Sequence, residues 1–339
     1  MQNFETIPFT AEDGFECNLK HLIGEKKPTK GPVLLVHGAG VRANIFNPPN
    51  ERNLVNMLAE DGYDVWLENW RGSIEFEPNE WNLDQVAIND HPAAVRKVVS
   101  ETGSAQIKAI VHCQGSTSFM MSTAMGLVPQ VKLIISNAVS LHPVVPKYSR
   151  FKLNVFVPLI KPFFDYLNPH WGLEAPDLKS KILRLLVRAT HPENDTLVGK
   201  FVSFTYGAGC PALWRLENLD ETTKDWIQNE FAEVPLSFFK HIAKCVKRGN
   251  LVRFQPDARL PESYTEDFRT EARVVLFGGE LNLCFKPQSQ QNTFDYLQEK
   301  RTDFHKLYIL KGYSHLDVFL GKEAHKNVFP TMLKELNDN

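Results

Sequence analysis

Residues 107–121 constrain this chain more than any other stretch. Residues 107–111 are a short apolar run and read as a buried strand. Residues 116–127 read as a helix, with small residues and Met on the apolar side. Only His112-Cys113-Gln114-Gly115 lies between them. A strand that turns this sharply into a helix holds the side chain at the turn clear of the sheet, where a nucleophile belongs. Cys113 stands at that tip. Gly115 supplies the small residue such a turn needs on the helix side, whereas Val111 stands where a glycine is usual. The same small-residue frame does not fit around Ser116 or Ser118. Cys is also among the most buried residue types, so a structural thiol is the competing reading. The surrounding frame favours the nucleophile.

The remaining bulk properties set limits. The chain has 339 residues, enough for a large core, with 43% hydrophobic and 23% charged residues. A net charge of −2 gives no electrostatic case for nucleic acid or for an anionic membrane. The five cysteines show no zinc-type spacing and no Cys-x-x-Cys, so neither a metal nor a cofactor is expected. No apolar run approaches the ~20 residues of a membrane span, and residues 1–6 lack the pattern of a signal peptide. A cytoplasmic setting with reduced thiols is the expectation.

Taken in order, residues 4–9 and 15–22 alternate around Glu12-Asp13-Gly14 and read as an antiparallel hairpin. Residues 33–36 are a continuous apolar run, as in central parallel strands. They end in His37-Gly38-Ala39-Gly40, where backbone can approach a ligand closely. Residues 53–61 look helical, 63–70 form the next strand, and 83–100 a helix that Pro92 kinks or breaks. After the 107–121 stretch, 131–139 is another buried strand. This alternation implies a mostly parallel sheet. It stops at residue 141. Residues 141–270 are rich in aromatics, Leu and Pro, with helical spacing at 178–190, 221–231 and 238–248. They read as an inserted, mainly helical cap on a core made of 1–140 and 271–339. Alternation resumes with a strand at 272–277, a helix at 289–300, a strand at 305–310 and a helix at 324–336.

The order and the turn together match an α/β-hydrolase fold, in which an acid follows a late strand and a histidine follows the last one. His315 stands at the histidine position. Asn282 stands where the acid is expected. Glu280 is the alternative orienter and Asp317 a third, more suited to capping the next turn. An Asn can hold a histidine tautomer, as Cys-His-Asn sites do. A thiolate also needs less help than a hydroxyl. The backbone N–H groups of Ala39 and Gln114 are the candidate oxyanion donors. His37 and His112 suit loop support through hydrogen bonds.

The chain resembles the α/β-hydrolases found fused to, or encoded beside, cholesterol-oxidase-like GMC oxidoreductases. The resemblance rests on 36–46, 62–73, His112-Cys113-Gln114-Gly115 with 116–119, Phe204-Thr205-Tyr206-Gly207 and 312–322. It is more distantly similar to acid-lipase-type hydrolases over 62–73. The resemblance implies a GMC-type oxidoreductase as a partner. The residues point to hydrolysis of an ester, thioester or lactone with an apolar acyl part, a small lipophilic substrate. Two alternatives stand beside it. One is acyl transfer, since polyhydroxyalkanoate synthases resemble the chain at the turn. The other is a non-catalytic protein that binds a lipophilic ligand or an oxidoreductase.

Overall fold

The computed structural model describes residues 2–339. Eight strands form one sheet: β1 (Asn3–Thr10), β2 (Glu16–Ile23), β3 (Pro32–Val36), β4 (Asp64–Asn69), β5 (Ile107–His112), β6 (Val131–Asn137), β7 (Arg273–Gly279) and β8 (Lys306–Leu310). Their spatial order is β1-β2-β4-β3-β5-β6-β7-β8. The β1–β2 hairpin and the β2–β4 pair are antiparallel, and every pairing from β4 to β8 is parallel. β3 is buried at all five positions, β5 at all but Lys108. That burial on both faces is why these strands read as continuous apolar runs rather than alternating ones. β8 lies at the sheet edge and is only half-buried.

Helices cover both sheet faces, and their ends follow local chemistry. The Asn53 side chain accepts from Asn56 N–H at 3.0 Å and opens Leu54–Glu60. The expected break near Pro92 is a widened turn. Leu83–Gln85, opened by a capping box from Asn82, passes into a π-helical turn over Val86–Asp90 before His91–Thr102. Proline has no N–H and its ring clashes with the carbonyl four residues back. The i→i−5 bond from His91 N–H to Val86 C=O accommodates this. The turn points Asp90 and His91 fully into the core.

Between β6 and β7, helices run over Lys147–Phe151, continued through Lys152–Phe156 and Val157–Ile160, then Leu178–Thr190, Leu197–Tyr206, Glu221–Ile227 and Leu236–Arg248. A two-residue ladder, Tyr166–Leu167 against Val234–Pro235, ties them together. The helix ending at Ile160 and the helix ending at Tyr206 were not legible as periodic segments. Residues 250–271 differ from the expected helical insert. They hold no helix and lie along the core, with Phe254 N–H on Asp84 and Arg269 N–H on the Ala124 carbonyl. Among the described residues no helix is long and apolar enough to cross a membrane.

Candidate active site

β5 runs directly into the helix Cys113–Ala124, which starts three residues earlier than its composition suggested. Cys113 takes the whole turn and sits at φ +55°. A side chain in that region costs about 1–2 kcal/mol, so the surroundings must enforce it. Two glycines allow the close packing that does so. A Cβ on Gly115 would come 2.1 Å from the His37 carbonyl oxygen, and one on Gly38 would come 2.9 Å from Cys113 Cβ. Val111 is fully buried opposite Val36 of β3, so the strand side accepts a branched residue here.

The loops after β7 and β8 bring Asn282 and His315 to this turn. Cys113 Sγ and a ring nitrogen each of His315 and His112 lie within 4.8 Å of one another. Burial raises the Cys113 thiol. The hydrogen bonds from Cys284, from the His315 ring and from the Gln114 N–H outweigh that and hold it well below the ordinary thiol range. Cys284 is pushed the other way, by burial and by Cys113. Its S–H has two acceptors in reach, the Cys113 sulfur and the Tyr206 carbonyl at 3.0 Å.

Asn282 meets His315, but with the opposite polarity to that expected. Its Oδ1 accepts from Cys284 N–H at 2.9 Å and Phe285 N–H at 3.1 Å. Those two donors fix the amide, so Nδ2 is the atom facing His315 Nδ1, at 3.1 Å. An amide N–H there makes Nδ1 an acceptor and places the neutral ring's proton on Nε2. Glu280 does not meet His315. It is exposed and accepts from Gly312 N–H at 3.3 Å. Asp317 caps its own loop, accepting from Ser314 N–H, Arg215 N–H and Asn218 Nδ2. Burial lifts its carboxyl to about 6.

Ala39 lines a small cavity together with Cys113 and His315, and Gln114 N–H points at the Cys113 sulfur. Both are therefore at the site. His37 and His112 support the loops. His37 Nδ1 donates to the Gly38 carbonyl at 2.6 Å, with burial lowering the ring to about 3. His112 Nδ1 meets Asn137 Nδ2 at 2.9 Å.

Sequence reasoning missed two buried polar clusters behind the turn. Glu68 meets His91 Nδ1 at 2.8 Å and Ser118 meets His91 Nε2 at 2.8 Å. All three are fully buried, so this Ser-His-Glu array has no route to substrate. Arg71 joins Asp90 to Asp13. The clue was the polar pair Asp90-His91 beside Pro92, where the helix changes pitch.

Two groups of donor atoms deserve a metal test. At the turn, His112 and His315 both present Nδ1 to an amide nitrogen, so the Nε2 positions facing Cys113 carry protons. Metal-binding histidines show the reverse pattern. In the cap, His191, Glu193 and Cys210 also converge within 4.8 Å, but the Lys152 and Lys200 charges act on His191 and Cys210 and oppose a cation.

Above Cys113 lies a narrow apolar cavity of about 50 Å³, walled by cap side chains including Leu153, Phe156, Phe238, Phe239 and Ile242. Lys152 at its wall donates from Nζ to the carbonyls of Phe204 and Gly207, and burial brings the ammonium down to about 8.

Strand order, elbow and loop positions together define an α/β-hydrolase. The chain shares this fold with DcsB solved with its substrate analogue (TM-score 0.61, 15% identity, 99% of this chain and 100% of that one). It shares it also with a thermophilic esterase from Thermogutta terrifontis (TM-score 0.59, 12% identity, 98% of each). No family model matches the chain. It is 34% identical to lipase member K of Mus musculus over 99% of this chain and 88% of the relative. The chain belongs to the lipase family of that relative, and is an acyl ester hydrolase.

Proposed function

We propose that this hydrolase works through Cys113 as a thiolate nucleophile on an ester or thioester with a long apolar acyl chain. One observation carries the proposal: the sulfur stands at a strained elbow, facing His315, on the floor of an apolar cavity. In this reading the thiolate attacks the acyl carbonyl, and the Ala39 and Gln114 N–H groups hold the oxyanion. The intermediate collapses to a Cys113 thioester while His315 Nε2–H hydrogen-bonds the departing oxygen or sulfur. The leaving group departs as its anion; water then attacks the thioester, one of its protons goes to that anion, and the acid is released as the thiolate is restored.

The Asn282 polarity sharpens the substrate class. With its proton on Nε2 and Nδ1 facing a donor, His315 supports a thiolate well but is a poor source of a second proton. Acidic leaving groups, such as thiols, phenols and enols, therefore leave most readily. The expected result is a steep fall in acylation rate as leaving-group pKa rises, across a series with one acyl chain. Acid quenching should trap the acyl group on Cys113 by mass. A flat series with no acyl-Cys113 would sink the proposal. Transfer to an added alcohol in place of acid release would instead identify an acyltransferase.

The outer face of the cap supports delivery from a lipid phase. Tyr148, Phe151, Val155 and Leu159 recur three or four residues apart along one helix face, 56%, 53%, 48% and 66% exposed. Ser149, Lys152, Leu153 and Phe156 of the same helix face the cavity. The neighbouring helix exposes Leu178, Ile182 and Leu185. The chain's net charge of −2 is also unevenly placed. Residues 147–190 hold eight Lys and Arg against three acids, a net +5, so the rest carries −7. That local excess of positive charge suits an anionic lipid surface. Replacing Phe151, Leu159 and Leu185 together by Ser should lower turnover of a vesicle-borne long-chain ester at least ~10-fold, because each buried apolar side chain contributes about 1.5–3 kcal/mol. Turnover of a soluble short-chain ester should stay within ~2-fold, since these residues lie outside the cavity. Equal losses on both substrates would mean the face is not a docking surface.

A further inference from the structure

Tyr206 ends the cap helix Leu197–Tyr206 directly over the elbow. Its hydroxyl is buried and has no hydrogen-bond partner. Buried polar atoms are nearly always paired, and an exception calls for a reason. The hydroxyl points at the turn after β3. A Cβ on Gly40, next to the oxyanion donor Ala39, would lie 2.0 Å from it, so glycine at 40 makes room for it. Tyr206 lines the small cavity with Ala39, Cys113 and His315, and also the apolar cavity above.

The side chain is held in place from several directions. The Tyr206 carbonyl accepts from the Cys284 S–H at 3.0 Å. Lys152 grips the carbonyls on either side, at Phe204 and Gly207. The ring packs against Phe231 and Phe239, with centroids 6.0 and 6.1 Å apart. Burial, followed by the Cys113 and Cys284 charges, keeps the phenol protonated far above neutral pH. Tyr206 is thus a fixed O–H donor with nothing to donate to until a substrate arrives. Such groups, costly in the resting fold, collect where a reaction needs them.

We propose that Tyr206 is a catalytic residue whose O–H donates to the acyl oxygen as it becomes an oxyanion, adding a third donor to the N–H groups of Ala39 and Gln114. It rests on the reading of Cys113 as the nucleophile. No proton is transferred: the hydrogen bond forms as charge builds on the oxygen and relaxes when the intermediate collapses.

Tyr206→Phe keeps the ring and removes only the donor. Loss of one oxyanion donor lowers kcat by about 10²–10³-fold. We expect a fall of that size with KM within ~3-fold. Affinity for a long-chain trifluoromethyl ketone, which forms a tetrahedral adduct, should fall in parallel. Tm should hold or rise, because the variant loses an unpaired buried group. Iodoacetamide should still label Cys113 at the wild-type rate. A kcat within ~3-fold of wild type would overturn the proposal. So would a fall in kcat accompanied by a lowered Tm and slowed labelling, which would mark a packing role. Wild-type protein that acylates Cys113 while Tyr206→Phe is silent removes only Tyr206. Turnover without acyl-Cys113 removes both readings.

Discussion

Replacing Cys113 by alanine is expected to lower kcat by about 10⁴-fold or more, leaving only what binding and oxyanion donors supply. The fold should survive. The side chain is small, and the strained backbone at φ +55° is fixed by the contacts of Gly38 and Gly115 rather than by the sulfur. In the wild-type chain iodoacetamide should reach Cys113 first and abolish turnover in step with labelling. The other thiols are disfavoured on physical grounds. Burial raises Cys17, pushes Cys245 up to about 12, and with Cys113 raises Cys284. Cys210 is exposed, but burial of its sulfur and the nearby Glu193 raise it too. Only Cys113 combines a lowered thiol with an open cavity above it. An alanine variant that kept a tenth of wild-type kcat would show that the nucleophile lies elsewhere.

A serine at the same position should be nearly as inactive, and Asn282→Asp should rescue it. A hydroxyl must lose its proton to a base, and His315 Nε2 already carries a proton because Nδ1 faces the Asn282 N–H. In serine proteases, changing the orienting acid to an amide fixes this wrong tautomer and costs about 10⁴-fold. The aspartate would fit without rearrangement. One oxygen keeps the bonds to Cys284 N–H and Phe285 N–H, and the other replaces Nδ2 as an acceptor for Nδ1–H. Cys113→Ser with Asn282→Asp should therefore exceed Cys113→Ser alone by about 10²–10⁴-fold in kcat. In the Cys113 background, Asn282→Asp should flatten the leaving-group dependence, because an imidazolium can then protonate the departing group. Glu280→Gln should change neither series, since that side chain reaches only Gly312 N–H. A double variant no faster than Cys113→Ser would mean that the polarity of residue 282 does not govern the site.

The two kinds of residue behind these predictions differ in how far the sequence reveals them. Val36, Val111 and Ile134 could be assigned to parallel strands because burial on both faces demands unbroken apolar runs, and that pattern is local. Cys113 could be picked out because Gly115 follows two residues later, and His315 because it trails the last strand. The cap helix ending at Ile160 escaped notice. It is apolar on both sides, with Phe156 toward the cavity and Leu159 toward solvent, so two overlapping stripes hide each other's period in the sequence.

By itself, the sequence determined the strand–helix order and the elbow, and it put Cys113 and His315 forward as the candidate thiol and imidazole, since each stands in a contiguous motif. Which way Asn282 points, the separation of Glu280 from His315, the orphaned hydroxyl of Tyr206 and the polarised cap were decided only by the tertiary structure. The reason is geometric. An amide offers a donor and an acceptor on one planar group, and the Cys284 and Phe285 backbone, folded back beneath it, claims the oxygen. A hydroxyl's partner, likewise, is set by whichever atoms the packed chain brings within about 3 Å, and here it brings Tyr206 to Gly40 from far along the sequence.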